Sequence, residues 1–317
     1  MSFAYLLRRI LTSIPTVFFV VFVVFIAIHL VPGDVVDMML GTQNYLTEEQ
    51  IDQLYKQYGL DKPLIVQFGV WLKNLFTLNF GTSLRTGRRV IDLILDRFPV
   101  TLELSVLSMF FATVIGIPLG IVAAIKKNSF VDGLVRVIGL IGLSSPSFWV
   151  GAILIVIFSG TFKGFNIFGY VQLREDFLRN LQVMFLPSLT LGLMLSAQIM
   201  RMTRSSMLDV LQQEYIRTAK AKGVSYSRLI TKHALKNALI PIVTLSGIQL
   251  GYLLAGTIVI ENMFALPGLG RLLLQAVNER DYPVIQFVVM FIAILIVVLN
   301  ILIDFVYTLI DPRVELR

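Results

Sequence analysis

Six mostly apolar stretches, at 10–31, 102–125, 135–158, 183–202, 239–260 and 284–310, constrain this chain more than any other feature. A bilayer core about 30 Å thick takes about 20 helical residues at 1.5 Å rise each, and each stretch is of that length. The fourth is the most polar, with Pro187, Ser188, Thr190, Ser196 and Gln198. The sixth is long enough to tilt or to extend past the bilayer. None alternates as the strands of a membrane barrel do. Composition agrees, since 56% of the 317 residues are hydrophobic and 15% charged. A soluble domain carries about 45–50% and ~25%, so this chain has too little charge to cover a water-facing surface of its size. The expected fold class is an all-α integral membrane protein with six transmembrane helices. Disordered, collagen-like, coiled-coil and disulfide-scaffold classes are excluded together. With no cysteine in the chain, thiol catalysis and thiolate metal sites are excluded too.

Charge sets the expected orientation. Arg8 and Arg9 precede the first stretch, whose apolar run exceeds that of a cleaved signal, and no A-x-A site follows it. It is expected to stay as an anchor with the N-terminus inside. Segment 126–136 holds Lys126, Lys127 and Arg136 against Asp132, and 201–236 holds eight basic residues against Asp209 and Glu214. The alternate loops are balanced, with three basic and two acidic residues in 160–182, and two and three in 261–283. The basic face is expected in the cytoplasm, with both termini on it. The seven basic residues of 33–98 do not disturb this, because long loops cross regardless of charge.

The domain plan is then a transmembrane helix at 1–32, a large extracytoplasmic loop at 33–98, a five-helix core at 99–310 and a tail at 311–317. In the large loop, Thr47-Glu48-Glu49-Gln50 reads as a capping box, Ile51, Leu54, Tyr55 and Tyr58 follow at helical spacing, and Gly59 supplies the stop. A second helix is expected near 66–75, after Pro63. The loop is either a structural cap or a docking surface for an external partner. Within the core, 203–238 is the most informative segment. It reads as helix to Lys222, a stop at Gly223 and a second helix capped by Ser225. The hairpin has a slim tip at Ala219, Ala221 and Gly223, ringed by Arg217, Lys220, Lys222 and Arg228. Positive-inside charge or an anionic-lipid patch explains the basic residues. DNA binding would leave the other spans idle, so no nucleic acid is expected. A tip that docks into another protein explains the small residues as well as the charge.

Residues 214–223, Glu214-Tyr215-Ile216-Arg217-Thr218-Ala219-Lys220-Ala221-Lys222-Gly223, followed by 233–241, His233-Ala234-Leu235-Lys236-Asn237-Ala238-Leu239-Ile240-Pro241, resemble the coupling loop of ABC-importer permeases. The variant is that of the dipeptide, oligopeptide and nickel subfamily. The general motif has Glu-Ala-Ala six residues before its glycine, and Arg217, Thr218 and Ala219 stand there in this chain. The stretch 251–261, from Gly251 to Glu261, with Phe264, Pro267-Gly268-Leu269-Gly270, Arg280-Asp281-Tyr282-Pro283 and Gln286, resembles the signature after the fifth span of the first ("B") permease of such systems. Leu30-Val31-Pro32-Gly33-Asp34, Leu60-Asp61-Lys62-Pro63, Phe80-Gly81-Thr82-Ser83 and Asp311-Pro312-Arg313 resemble further parts of it. The resemblance implies a type I ABC importer fold and import of peptides or related small solutes. It also implies a homologous second permease, two cytosolic ATPases that bind the ATP, an extracytoplasmic solute-binding protein, and an ATPase-coupling role for 214–223.

The residues add their own constraints. No G-x-x-x-x-G-K-S/T loop occurs, so no ATP hydrolysis, and no cofactor or metal, is expected in this chain. An ion-gradient-driven carrier is the alternative, but it places ionisable groups near mid-membrane, and Glu103, Asp304 and His29 all lie toward span ends. An intramembrane serine or metal hydrolase finds no serine–base pair and no H-E-x-x-H. Ser246, Gln249 and Tyr252 in the fifth span either line a pathway or hold helices together. Ser144-Ser145-Pro146-Ser147 in the third is expected to kink it.

Overall fold

The computed structural model describes residues 3–30, 36, 47–77, 79–162 and 164–310. Among them the regular structure is helical, apart from one antiparallel bridge between Thr82 and Arg89. The motifs at 31–34 and 311–313 and the expected tail lie outside the described residues. The chain divides into two compact units, one of 10–99 with 268–295, the other of 1–9, 100–267 and 296–317.

In the first unit, α1 (Phe3–Leu30) is followed by α2 (Glu48–Tyr58) and α3 (Leu64–Phe76). The capping box forms as its spacing predicts. The Gln50 amide donates to the Thr47 hydroxyl at 3.4 Å, and the Thr47 amide donates to Gln50 Oε1 at 2.9 Å. Gly59 takes the left-handed conformation at φ 67° and ends α2. Helix α3 uses its aromatic face on α1, where Phe68 meets Phe18, Phe22 and Phe25 at ring-centroid distances of 6.1, 5.6 and 5.1 Å. Trp71 is buried between Phe25 and Phe287. This face of the large loop is therefore a cap on the chain's own first helix. The turn after it is tied to the start of the last helix. Ser83 donates to Asp281 Oδ2 at 2.5 Å and the Leu84 amide to Asp281 Oδ1 at 3.2 Å, across 198 residues of sequence. The unit is completed by α12 (Leu269–Asn278) and the start of α13 (Tyr282–Ile310).

The second unit is built on α7 (Phe177–Leu211), whose apolar window is 61% buried. Helix α4 (Val90–Ile125) lies against it at glycines from both sides. A Cβ on Gly116 would sit 2.7 Å from the Ser196 carbonyl oxygen. One on Gly120 would sit 2.5 Å from Thr203 Cβ, and one on Gly192 2.5 Å from Phe111 Cβ. Missing side chains thus let the two backbones approach, which is how membrane helices gain dispersion contact without a hydrophobic driving force. Glu103, on α4, accepts from Tyr170 at 3.3 Å and from Asn180 at 3.2 Å, so it is paired within the fold. Burial and the Glu103 carboxylate push the Tyr170 phenol up to about 12, which keeps it a donor.

Among the described residues, four helices are long and apolar enough to cross a membrane: α4, α7, Tyr226–Ala255 and Tyr282–Val306. They contain the expected second and fourth stretches and most of the fifth and sixth. The first stretch lies on α1, whose described apolar segment Leu11–Ala27 is shorter. The third, expected as one kinked span at 135–158, breaks at the expected Ser145-Pro146 into α5 (Phe130–Ser144) and α6 (Ser147–Thr161), and the bend is 106°. Proline alone does not explain this, since Pro187 and Pro241 sit inside helices. At the break Ser145 is extended (ψ 131°), the conformation favoured before Pro146, and its hydroxyl donates to the Ile141 carbonyl at 2.7 Å. Pro146 is then used to start α6, where its missing N–H costs nothing.

Two glycine substitutions separate close approach from helix propensity. Gly192→Ala is expected to force α4 and α7 apart and destabilise by about 1–3 kcal/mol. Gly133→Ala, inside α5 with nothing within 4 Å of the added Cβ, is expected to match or exceed the parent by up to about 1 kcal/mol. Thermal aggregation temperatures in detergent check both, and equal behaviour of the two variants would contradict the packing argument.

Candidate functional site

The hairpin expected at 203–238 exists, with a more broken backbone than its sequence predicts. Helix α7 ends at Leu211, Gln213 is extended (ψ 145°), and α8 (Glu214–Ala221) starts in a new direction. After Gly223 the chain continues as α9 (Tyr226–Arg228), a π-helical turn over Leu229–Ala234, and α10 (Leu235–Gly256). The expectation of one helix running to Lys222 is thus corrected, and the reason is geometric. Met207 and Ile216 are nine residues apart, so at about 100° per residue a continuous helix would put them on opposite faces. The break lets both enter one apolar cluster with Ala124, Leu229, Ile230, Ala234 and Ala238. The π-turn, likewise absent from the sequence expectation, supplies three of these residues.

The tip is closed by a Schellman motif. The Val224 amide donates to the Ala219 carbonyl at 3.3 Å and the Gly223 amide to the Lys220 carbonyl at 3.0 Å, while Gly223 holds φ 79°. Val224 and Ala219 both pack on the cluster, the apolar contact that accompanies this motif. The cluster therefore fixes the inner side of α8. Glu214, Tyr215, Arg217, Thr218, Lys220, Ala221, Lys222 and Gly223 are exposed on the outer side. Ala219 is half-buried against the cluster, so its small size serves the hairpin's own packing. Arg217 donates to Glu214 Oε1 at 2.8 Å, and this surface pair is worth only about 0.3–0.5 kcal/mol. Asn237 donates to the Tyr215 hydroxyl at 2.6 Å, a second tie between α8 and α10. The arrangement is a rigid, basic, helical projection with a narrow end.

The three candidate pathway residues differ in exposure. Ser246 is half-buried, Gln249 is buried and donates to Gln198 on α7, and Tyr252 is two-thirds exposed. Gln249 acts as polar glue between helices.

Two buried polar groups were not singled out as sites from sequence. Glu261, in α11 (Ile258–Met263), is fully buried, and Thr101 and Thr257 each donate a hydroxyl to its Oε1 at 2.8 Å. Asp132 is fully buried at the start of α5 and accepts from Arg204 Nε at 2.7 Å and Nη2 at 2.9 Å. Asp132 was visible in sequence as the one acidic residue of a basic segment. Its partner, 72 residues away, carried no signal.

The comparisons with known proteins cover almost the whole chain. Residues 116–316 match the family described as binding-protein-dependent transport system inner membrane component, and 2–105 match the family of its N-terminal part. A dipeptide transport system permease protein of Alkalihalophilus pseudofirmus is 39% identical, over 98% of this chain and 99% of that one. A glutathione transport system permease protein of Escherichia coli is 39% identical over 99% of both chains. Among solved structures, an inward-facing form of the MetNI methionine ABC transporter aligns with 70% of this chain and 97% of that chain. Its TM-score is 0.56 and its identity 21%, a likeness of fold alone.

The Schellman closure gives a local test. Gly223→Val places a branched side chain at positive φ, at a cost of about 1–2 kcal/mol, although no atom lies within 4 Å of the added Cβ. Gly223→Asn, tolerated in the left-handed region, costs less. Trypsin digestion of the protein in detergent should cut at Lys220 and Lys222 several-fold faster in the valine variant, with the asparagine variant between it and the parent. Identical cleavage in all three would mean the closure does not hold the tip.

Proposed function

The chain belongs to the binding-protein-dependent transport system inner membrane components, the permeases of ABC importers, and from that premise we propose how it is assembled and driven. It is a multi-pass inner-membrane permease subunit of the type I importer fold. In the assembly we propose, it pairs with a homologous second permease, and the two line the translocation route for peptides or related small solutes. An extracytoplasmic solute-binding protein delivers the cargo. Two cytosolic ATPases bind the ATP, and this chain carries no cofactor of its own. In this reading both termini face the cytoplasm, which the charge bias of the basic loops at 126–136 and 201–236 supports.

The observation that carries the coupling role is the outward face of α8, Glu214 to Gly223, exposed on a projection whose inner face is clamped to the bundle. A helix of this kind fits a cleft in an ATPase subunit. When the paired ATPases close, the cleft moves α8. The apolar cluster and the Tyr215–Asn237 bond pass that displacement to α7 and α10, and the permease pair exchanges its inward- and outward-facing states. The family relatives named for dipeptide and glutathione transport support a peptide-like cargo. Ser246 and Tyr252 remain the proposed pathway-lining residues of α10, with Gln249 between them.

The natural absence of cysteine makes the test clean. With Ala221→Cys in this chain and single cysteines placed across the cleft of each ATPase, a disulfide is expected at α8, and it should block substrate-stimulated hydrolysis until reduced. In proteoliposomes uptake should require ATP. Uptake driven by an ion gradient with the ATPases omitted would overturn the reading in favour of a secondary carrier.

A further inference from the structure

The 106° bend between α5 and α6 opens a cavity of about 320 Å³ against α7 and α4. Its floor is Gly139, Gly142 and Ala197, three positions with little or no side chain, and its walls include Ile138, Trp149 and Leu193. Such a slot is apolar, narrow and open at membrane depth, and hydrocarbon fills it without desolvation cost.

Charge stands at one end of it. Leu119 lines the cavity from α4, and Lys126 follows seven residues, or about 10 Å, further along the same chain. Lys127 is next to it. On α5, Arg136 lies one turn before Gly139 on the same face. Lys126, Lys127 and Arg136 are all exposed. The acidic group of this region, Asp132, is fully buried and neutralised by the two bonds from Arg204. Arg136 reaches it only at 3.6 Å, with its own side chain 56% exposed. Lys126 and Lys127 therefore face the water interface beyond the slot, joined by Arg136, whose ion pair to Asp132 leaves its side chain half exposed. Phe130, 85% exposed at the start of α5, marks the same level as interfacial.

We propose that this slot is a binding site for one anionic phospholipid, its acyl chain between α5 and α6 and its phosphate headgroup at Lys126, Lys127 and Arg136. The site depends only on the charged ends of α4 and α5 meeting a membrane surface, so it holds whichever partners drive the protein. A lipid there wedges the bend at Ser145-Pro146 and tunes how far α6 can move relative to α7.

The test uses the whole transporter in its native membrane. p-Benzoylphenylalanine replaces Trp149, the cells are irradiated, and the adduct is identified by mass spectrometry. The expected product is phosphatidylglycerol, enriched over phosphatidylethanolamine relative to the bulk membrane. The triple variant K126Q/K127Q/R136Q should lose that enrichment, by about five-fold for each neutralised residue that contacts the headgroup. An adduct with bulk lipid composition in both proteins would mean ordinary solvating lipid and overturn the proposal. An adduct with another polypeptide would overturn it too, since the slot would then be a protein interface, and so would the absence of any lipid adduct.

Discussion

Hydrocarbon offers no partner to an amide, a hydroxyl or a carboxylate, so most polar groups that enter the bundle pair inside it, with Ser188 Oγ and Thr203 Oγ1 as exceptions among the described residues. That requirement explains the internal pairs of the core unit. Glu261 is held by Thr101 and Thr257, and Asp132 by Arg204 and the Asn128 amide. Glu103 is held by Tyr170 and Asn180, and Gln249 by Gln198. Three of these four pairings end on α7 or the loop before it. The helix that carries the most polar residues is also the most buried of the four long ones. Its polarity is a consequence of its place, since only a helix surrounded by others can keep Ser188, Thr190 and Ser196 out of lipid.

The same constraint decides how closely helices pack. Between lipid-solvated helices the gain is dispersion and polar contact, and both need short distances. Gly116, Gly120 and Gly192 supply them along the α4–α7 seam. The side effect is stiffness. With backbone carbonyls 2.7–3.0 Å from an added Cβ, this seam has little room to slide, so motion in the unit must use the places where the helical ladder is already interrupted. Those are Ser145-Pro146, Gln212-Gln213, the π-turn at 229–234, and Thr257 between α10 and α11.

Much of this was legible in the sequence. Length and apolarity mark most spans, because lipid imposes both. The capping box at Thr47 and the stops at Gly59 and Gly223 are local motifs, so a local reading finds them. The signature resemblance marked 80–83 and 280–283 separately, and the fold joins them through Ser83 and Asp281. Interruptions were harder to see. Ser144-Ser145-Pro146 announces a bend but not its size, since a proline kink and a 106° reversal share one sequence. The break at Gln212–Gln213 has no breaker residue at all. It exists because Met207 and Ile216 must reach one cluster, a fact about tertiary packing that no window of sequence contains. Ala219 has a second use that the sequence did not show. A small residue at a tip looks like an adaptation to a partner, and here it also packs on the hairpin's own cluster with Ile216 and Val224.

In the coupling role proposed for it, α8 has to be stiffer than its attachment to the motor, and its two faces fit that division of labour. The inner face is apolar and continuous with the bundle, so bending it away exposes Ile216, Leu229 and Ile230 together. Burying side chains of this size is worth about 1.5–3 kcal/mol each, which makes detachment of the tip far costlier than a shift of the whole hairpin. Apart from Tyr215, tied to Asn237, the outer face is held by little more than one exposed ion pair, Arg217 to Glu214. A partner can therefore rearrange the other outer residues at little cost while the inner ones stay fixed. Load applied at the outer face then travels along α7 and α10, and the first places it can be absorbed are the π-turn at the root of α10 and the extended Gln213 at the root of α8. The irregular turns that sequence could not foresee are thus where a moving permease would be expected to flex.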